Sequence, residues 1–156
     1  MKNYYCLNPG EFFVAQEIIK ECDDIELYFP LKDTGVDLLA INPRTSKIVR
    51  IQVKESRTYK KGHSWHQLRK TKLNTADVFV FVSYIREHDS GRIRFRHEYI
   101  VVPQRDLREI CERDKKADSN GKYAFYFSFS DGRASDLRAK KPIDFSKYHR
   151  AWSYVE

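Results

Sequence analysis

Apolar residues recur with a helical period near the start of the chain and with a strand period, or in short unbroken runs, over most of the remaining sequence. Val14, Ala15, Ile18, Ile19 and Cys22 make one stripe at ~100° per residue. Asn8-Pro9-Gly10-Glu11 supplies a start signal, with an N-cap, a proline at the first helical position and an acid placed for a capping box. The predicted helix runs to about Cys22. Glu11 falls near the middle of its apolar stripe and Glu17 well away from it, so the first-turn acid faces the core. Ile25 to Pro30 reads as a short strand, followed by a turn at Asp33-Thr34-Gly35. Later strands are expected over Asp77–Tyr84 and Ile93–Val102, joined by a turn around Asp89-Ser90-Gly91, and over Tyr123–Phe129. A short helix is expected within Leu68–Leu73 and another from about Asp106 to Arg113, burying Leu107, Ile110 and Cys111. The segment from Arg133 onward gives mixed signals and no assignment. Helix, strands, helix and strand in one unit predict an α/β domain with a central mixed sheet flanked by helices.

One hairpin carries chemistry. Gly35-Val36-Asp37-Leu38-Leu39 is followed after a short turn by Arg50-Ile51-Gln52-Val53-Lys54, two apolar strands holding an acid and a lysine that neither needs for folding. If Pro43 to Ser46 is a four-residue loop, Asn42 faces Lys47, Ile41 faces Ile48, and Asp37 lies opposite Gln52. Alternation then gathers Asp37, Gln52 and Lys54 on one face, and Val49, Ile51, Val53, Val36, Leu38 and Ala40 on the other. A carboxylate, an amide and an ammonium converging at one end of a hairpin suit metal-dependent phosphodiester chemistry.

At 156 residues the chain is read as a single domain able to bury about two thirds of its unfolded surface. Cys6, Cys22 and Cys111 are odd in number and widely separated, so neither a disulfide framework nor a thiolate zinc site is expected. There is no basic-then-apolar leader, and the longest apolar run, Val78 to Val82, is too short to cross a bilayer. The expectation is a soluble, cytoplasmic protein with no membrane partner. The net charge of +7 matters through its location. Between Ser56 and Ala76 lie Arg57, Lys60, Lys61, Arg69, Lys70 and Lys72 with no acid, interleaved with Tyr59, His63, Trp65 and His66. A single-sign run alone is most often a solvated face. Directly after the hairpin, it reads as a surface for a nucleic-acid backbone. Trp65 either stacks on a base or covers a sheet edge.

The helix with Gly10-Glu11 and Val14-Ala15, then Asp37-Leu38, then Arg50-Ile51-Gln52-Val53-Lys54, resembles the PD-(D/E)XK nuclease superfamily of restriction-endonuclease-like fold. It is most similar to the branch with archaeal Holliday-junction resolvases and the cyanobacterial group I intron homing endonuclease, in which QxK can replace ExK. The match covers roughly the first third of the chain; the Tyr99 to Pro103 strand end is similar but generic. The resemblance implies a catalytic core over about residues 8–103, with specificity or oligomerisation elements over about 104–156. It implies that Asp37 and Glu11 give carboxylate oxygens to Mg²⁺ or Mn²⁺, with Gln52 orienting water or adding its carbonyl oxygen. Lys54 would stabilise negative charge at phosphorus or position the nucleophile. Gln52 departs from the usual acid, which removes one negative charge and places more weight on Glu11.

The leading expectation is therefore a metal-dependent endodeoxyribonuclease acting on duplex or branched DNA, as a homo-oligomer if two strands are cut. Two alternatives stand beside it: a catalytically silent DNA-binding protein of the same fold, and a metal-independent RNA-processing protein using His63 or His66 with Lys54 and a tyrosine. The individual residues carry plain structural readings too. Glu11 can serve simply as a helix cap, Asp37 as the ion-pair partner of Lys54, Gln52 as an ordinary strand residue, and His63 and His66 as incidental loop histidines.

Overall fold

The computed structural model describes residues 7–31 and 34–156. Cys6 and the Asp33 of the lead-in turn lie outside the described residues. Two five-stranded sheets form the protein. The first contains β1 (Glu26–Tyr28), β2 (Leu38–Asn42), β3 (Lys47–Ser56), β6 (Val78–Asp89) and β7 (Arg92–Pro103), in the spatial order β1-β2-β3-β6-β7. Only the β3–β6 pair is parallel, so the sheet is mixed as expected. The chain between β3 and β6 builds β4 (Tyr59–Lys60) and β5 (His63–Arg69), which belong to the second, antiparallel sheet with β8 (Lys122–Ser130), β9 (Arg133–Asp136) and β10 (Ile143–Asp144).

The predicted hairpin register holds. Asn42 pairs with Lys47 and Ile41 with Ile48, and the ladder reaches Leu38 opposite Ile51. The loop is fixed by Asn42, whose side-chain oxygen accepts the N–H groups of Arg44 (3.0 Å) and Thr45 (3.2 Å). Odd-numbered β3 residues and even-numbered β2 residues pack under helix α1 (Pro9–Glu21), where Val14 and Ile18 meet Leu38, Ala40, Ile51 and Val53. Ile19 departs from the expected stripe: it is 68% exposed, because only a narrow face of α1, through Val14, Ala15 and Ile18, is covered.

The other face of the first sheet packs on the second sheet instead of on helices alone. Phe79, Phe81, Ile100 and Val102 meet Leu68, Phe125 and Phe127, with the Phe81 ring 5.2 Å from each of the last two. Helix α2 (Gln104–Asp114) adds Leu107, Ile110 and Cys111. The helix expected within Leu68–Leu73 is mostly strand: β5 runs through Arg69, and a single 3₁₀ turn over Lys70–Lys72 follows. Alternation turns Ser64, His66 and Leu68 inward and Trp65, Gln67 and Arg69 outward. Cys22 and Cys111 are buried free thiols, and burial pushes their pKa up to about 11 and about 12. Among the described residues no helix is long and apolar enough to cross a membrane.

The unassigned C-terminal segment closes both cores, Phe145 and Tyr148 entering the one between the sheets and Trp152 and Val155 the one under α1. It is latched by His149, which donates through Nε2 to buried Glu98 of β7 (2.6 Å), and by an Arg150–Glu17 ion pair to α1. Burial opposes the Glu98 charge, but His149, Arg96 and Arg150 outweigh it and hold the carboxyl below its ordinary value. A depressed folded-state pKa stabilises the latch above the unfolded value of 4.5, and that contribution disappears as pH falls from there through the folded value. Acid titration followed by Trp152 fluorescence should report loosening in that window. Glu98→Gln should flatten that component of the titration.

Candidate active site

The four catalytic candidates are positioned by β2, β3 and the first turn of α1. At the start of β2 the ladder ends: the Asp37 N–H bonds to Ile51 O (2.9 Å), and the Asp37 carboxylate accepts the Val53 N–H through Oδ2 (2.7 Å). The Val53 N–H has passed the end of the β2 ladder, so the carboxylate completes the edge. Asp37 is thereby held against the residue between Gln52 and Lys54. Gln52 is 3% exposed, and its side-chain oxygen accepts the Thr75 hydroxyl at 3.4 Å. Lys54 is half-buried and lines a cleft of about 290 Å³ with Gln67, Arg69, Lys72 and Lys122. Gly35 precedes Asp37 with φ +84°, and a Cβ there would lie 3.2 Å from the Lys72 ammonium, so Lys72 also flanks this corner.

Glu11 is 6% exposed and caps its helix, accepting the Asn8 backbone N–H (3.0 Å) and side-chain amide (3.1 Å) on its two oxygens. A carboxylate has about four lone-pair positions, so capping and metal binding are compatible. A residue overlooked in the sequence ties the start of this helix to β3. Glu55, directly after Lys54, accepts the Gly10 N–H (2.9 Å), the Tyr84 hydroxyl (2.9 Å) and the Arg57 guanidinium (3.0 Å). Burial first and then this hydrogen bond raise the Tyr84 pKa, keeping it a donor. The available signal was an acid among the inward-facing Ile51 and Val53 positions, matched by a glycine at the helix start. The approach is close: a Cβ on Gly10 would sit 2.8 Å from Glu55 Oε2 and 2.9 Å from its Cβ. Gly10→Ala should therefore displace α1 from β3, costing about 1–3 kcal/mol, which a thermal melt reads as a lower melting temperature.

The expected donor set of Asp37, Glu11 and the Gln52 carbonyl consists of hard oxygens, the kind Mg²⁺ and Mn²⁺ take. The set has two carboxylates, and among the described residues no three His, Cys, Asp or Glu side chains cluster at metal-ligand spacing.

The basic segment is spread along the second sheet. Arg57 pairs with Glu55, Lys60 and Lys61 sit at the β4–β5 turn, and Arg69, Lys70 and Lys72 lie at the opposite end of β5, where Arg69 and Lys72 share a cleft with Lys54. Trp65 is 52% exposed on the outer face, and His63 stacks on Tyr126 with ring centres 4.6 Å apart. His66 departs from the nucleic-acid-contacting expectation: it is 3% exposed, packed edge-on to Phe81. Its Nε2 lies 3.1 Å from Ser83 Oγ and 3.3 Å from Ser64 Oγ, while Nδ1 sits near the Lys54 main chain without a well-formed hydrogen bond. Burial pushes its pKa down to about 3. A ring so enclosed reaches no backbone phosphate and serves poorly as a general base near neutral pH.

Neither a protein-family model nor a curated protein matches this chain. Among solved structures it is similar to a bacterial homing endonuclease, I-Ssp6803I, with a TM-score of 0.57 and 18% identity over 94% of this chain and 85% of that one. The fold is nuclease-like. In this nuclease-like fold, the mixed sheet presents Asp37, Gln52 and Lys54 at one end of the β2–β3 pair, and the second sheet carries the basic outer row alongside.

Proposed function

We propose that this protein is a metal-dependent endodeoxyribonuclease whose site is Asp37, Glu11, Gln52 and Lys54. The observation that carries the reading is the placement of Asp37: its carboxylate is fixed on the Val53 N–H, between Gln52 and Lys54, and Lys54 lines a cleft with Arg69, Lys72 and Lys122. Likeness of fold to a homing endonuclease supports the same reading. Asp37 and Glu11 would hold Mg²⁺ or Mn²⁺, with Gln52 contributing its amide oxygen directly or through water. The ion, when bound, lowers the pKa of the attacking water and neutralises a phosphate oxygen. Lys54 stabilises the charge that develops on the phosphate as the new P–O bond forms. Lys72 and Arg69 hold the flanking backbone, and Arg57, Lys60, Lys61 and Lys70 extend the positive surface. Cutting both strands calls for a second site, which a second copy of the chain would supply.

The deciding experiment is cleavage of supercoiled plasmid and of a four-way junction with Mg²⁺, Mn²⁺ or EDTA. Metal-dependent cutting that falls by about 10²-fold or more in Lys54→Ala supports the reading. Salt-sensitive DNA binding with no cutting in any metal would favour a second reading, a DNA-binding protein of nuclease-like fold. That reading draws on Gln52 and on the double engagement of Glu11 by Asn8.

A further inference from the structure

The outer face of the second sheet is concave and continuous with the Lys54 cleft. Gln67 and Lys122 line that cleft and also a neighbouring basin of about 650 Å³. The basin extends past Trp65 and Tyr126 to Lys116, Arg138 and Lys140. Its acids are engaged internally. Arg113 bonds Asp114 at 2.7 Å, and Asp118 accepts the N–H groups of Asn120 (2.8 Å) and Lys122 (2.9 Å). Lys116, Lys122, Arg138 and Lys140 remain as a cationic rim, in series with Lys54, Arg69 and Lys72. On its floor Ala124 faces Gln67 across the strands, and the exposed Trp65 faces Tyr126. The Tyr126 ring is held between stacked His63 and the Arg138 guanidinium, 5.3 Å from its centre.

We infer that this face is the sequence-reading surface of the protein, lying in a groove of duplex DNA, with Gln67 and Trp65 against base edges and Lys122, Arg138 and Lys140 on phosphates. The inference rests on the nuclease reading for the position of the cut, and otherwise stands on the second sheet alone. A strand pair such as β5 and β8 is narrow enough to enter a DNA groove, an exposed glutamine offers paired donor and acceptor atoms to a base edge, and the rim complements the phosphates. Spacing gives a distance. Along β5, Gln67 is ~7 Å and Trp65 ~14 Å beyond Arg69, which is about two and four base steps at ~3.4 Å each. The bases read therefore lie roughly two to four steps from the phosphate held at Arg69. The second half of the chain contributes most of this surface although it carries no recognisable motif.

The test measures binding of a randomised DNA duplex in EDTA over a salt series. Replacing Lys122, Arg138 and Lys140 together by alanine should lower the slope of log K against log salt by about 0.9 per lost phosphate contact, whereas Lys20→Ala and Arg44→Ala should leave it unchanged. Selection from the randomised duplex should give a preferred sequence with wild type that Gln67→Ala relaxes at one or two positions. An unchanged slope in the triple variant, a preference untouched by Gln67→Ala, or tighter binding to duplex RNA would each overturn the inference. These readouts need no cleavage. A protein that binds as described and never cuts retains the inference and loses the nuclease reading; one that cuts with the triple variant binding normally does the reverse.

Discussion

Asp37→Asn should lower metal-dependent cleavage by about 10³-fold or more while leaving the melting temperature within a few degrees of wild type. Asparagine keeps a side-chain oxygen to accept the Val53 N–H, so the edge of β3 stays satisfied. What is lost is the charge, and a donor set of one carboxylate and two amides binds Mg²⁺ poorly. Asp37→Ala should be equally inactive for a second reason. It leaves the Val53 N–H without its acceptor at about 1–3 kcal/mol, so its melting temperature should drop as well. Parallel cleavage time courses and thermal melts separate the two effects. Cleavage by Asp37→Asn at the wild-type rate would remove Asp37 from the chemistry.

The largest effect on stability is expected at an ion pair far from that corner. Lys115 and Asp136 pair with side chains 2% and 0% exposed, and the Lys115 ammonium also sits 4.4 Å from the centre of the Phe125 ring. Asp136 further accepts the N–H groups of Tyr126 (2.8 Å) and Arg138 (2.9 Å). Removing one charge strands the other in a low-dielectric interior, at about 3–5 kcal/mol, and the melting temperature should fall on the order of 10 °C. Lys115→Met should show this loss. The double variant Lys115→Met/Asp136→Asn should recover most of it, since asparagine still accepts both N–H groups and no charge remains buried. A double variant as unstable as Lys115→Met would mean that the pair is not coupled. Because Asp136 fixes the Arg138 backbone, the single variant should also weaken DNA binding at the basin rim.

Several elements were legible because a short-range rule decides them. The capping sequence placed α1, the four-residue loop set the hairpin register, the Ser90-Gly91 turn set β6 against β7, and Leu107, Ile110 and Cys111 marked α2. The second sheet was hidden because the inward row of β5 is Ser64, His66 and Leu68. Two of these are polar and satisfy one another with Ser83, so the strand period does not register as hydrophobic alternation. Its outward charges then read as a loop, and His66 as exposed. The C-terminal aromatics were unreadable because Phe145, Tyr148 and Trp152 sit in irregular chain, where burial follows from tertiary packing and not from a repeat. At the site, local alternation gave Asp37, Gln52 and Lys54. Glu55 was missed because its partners, Gly10 and Tyr84, are distant in sequence.

The placement of β5 between β3 and β6 also bears on how the protein forms. Its local partner β4 has two residues, and its main partner is β8, 63 positions away at the Ser64–Phe127 contact. Pairing at such separation is slow, so β5 waits with open edges after the first hairpin has closed. Strands in that condition self-associate unless charge guards them. Arg69, Lys70 and Lys72 stand at one end of β5, and Lys60 and Lys61 at the other. Substitutions that strip these cations to weaken DNA binding will therefore also lower the yield of refolded, unaggregated protein.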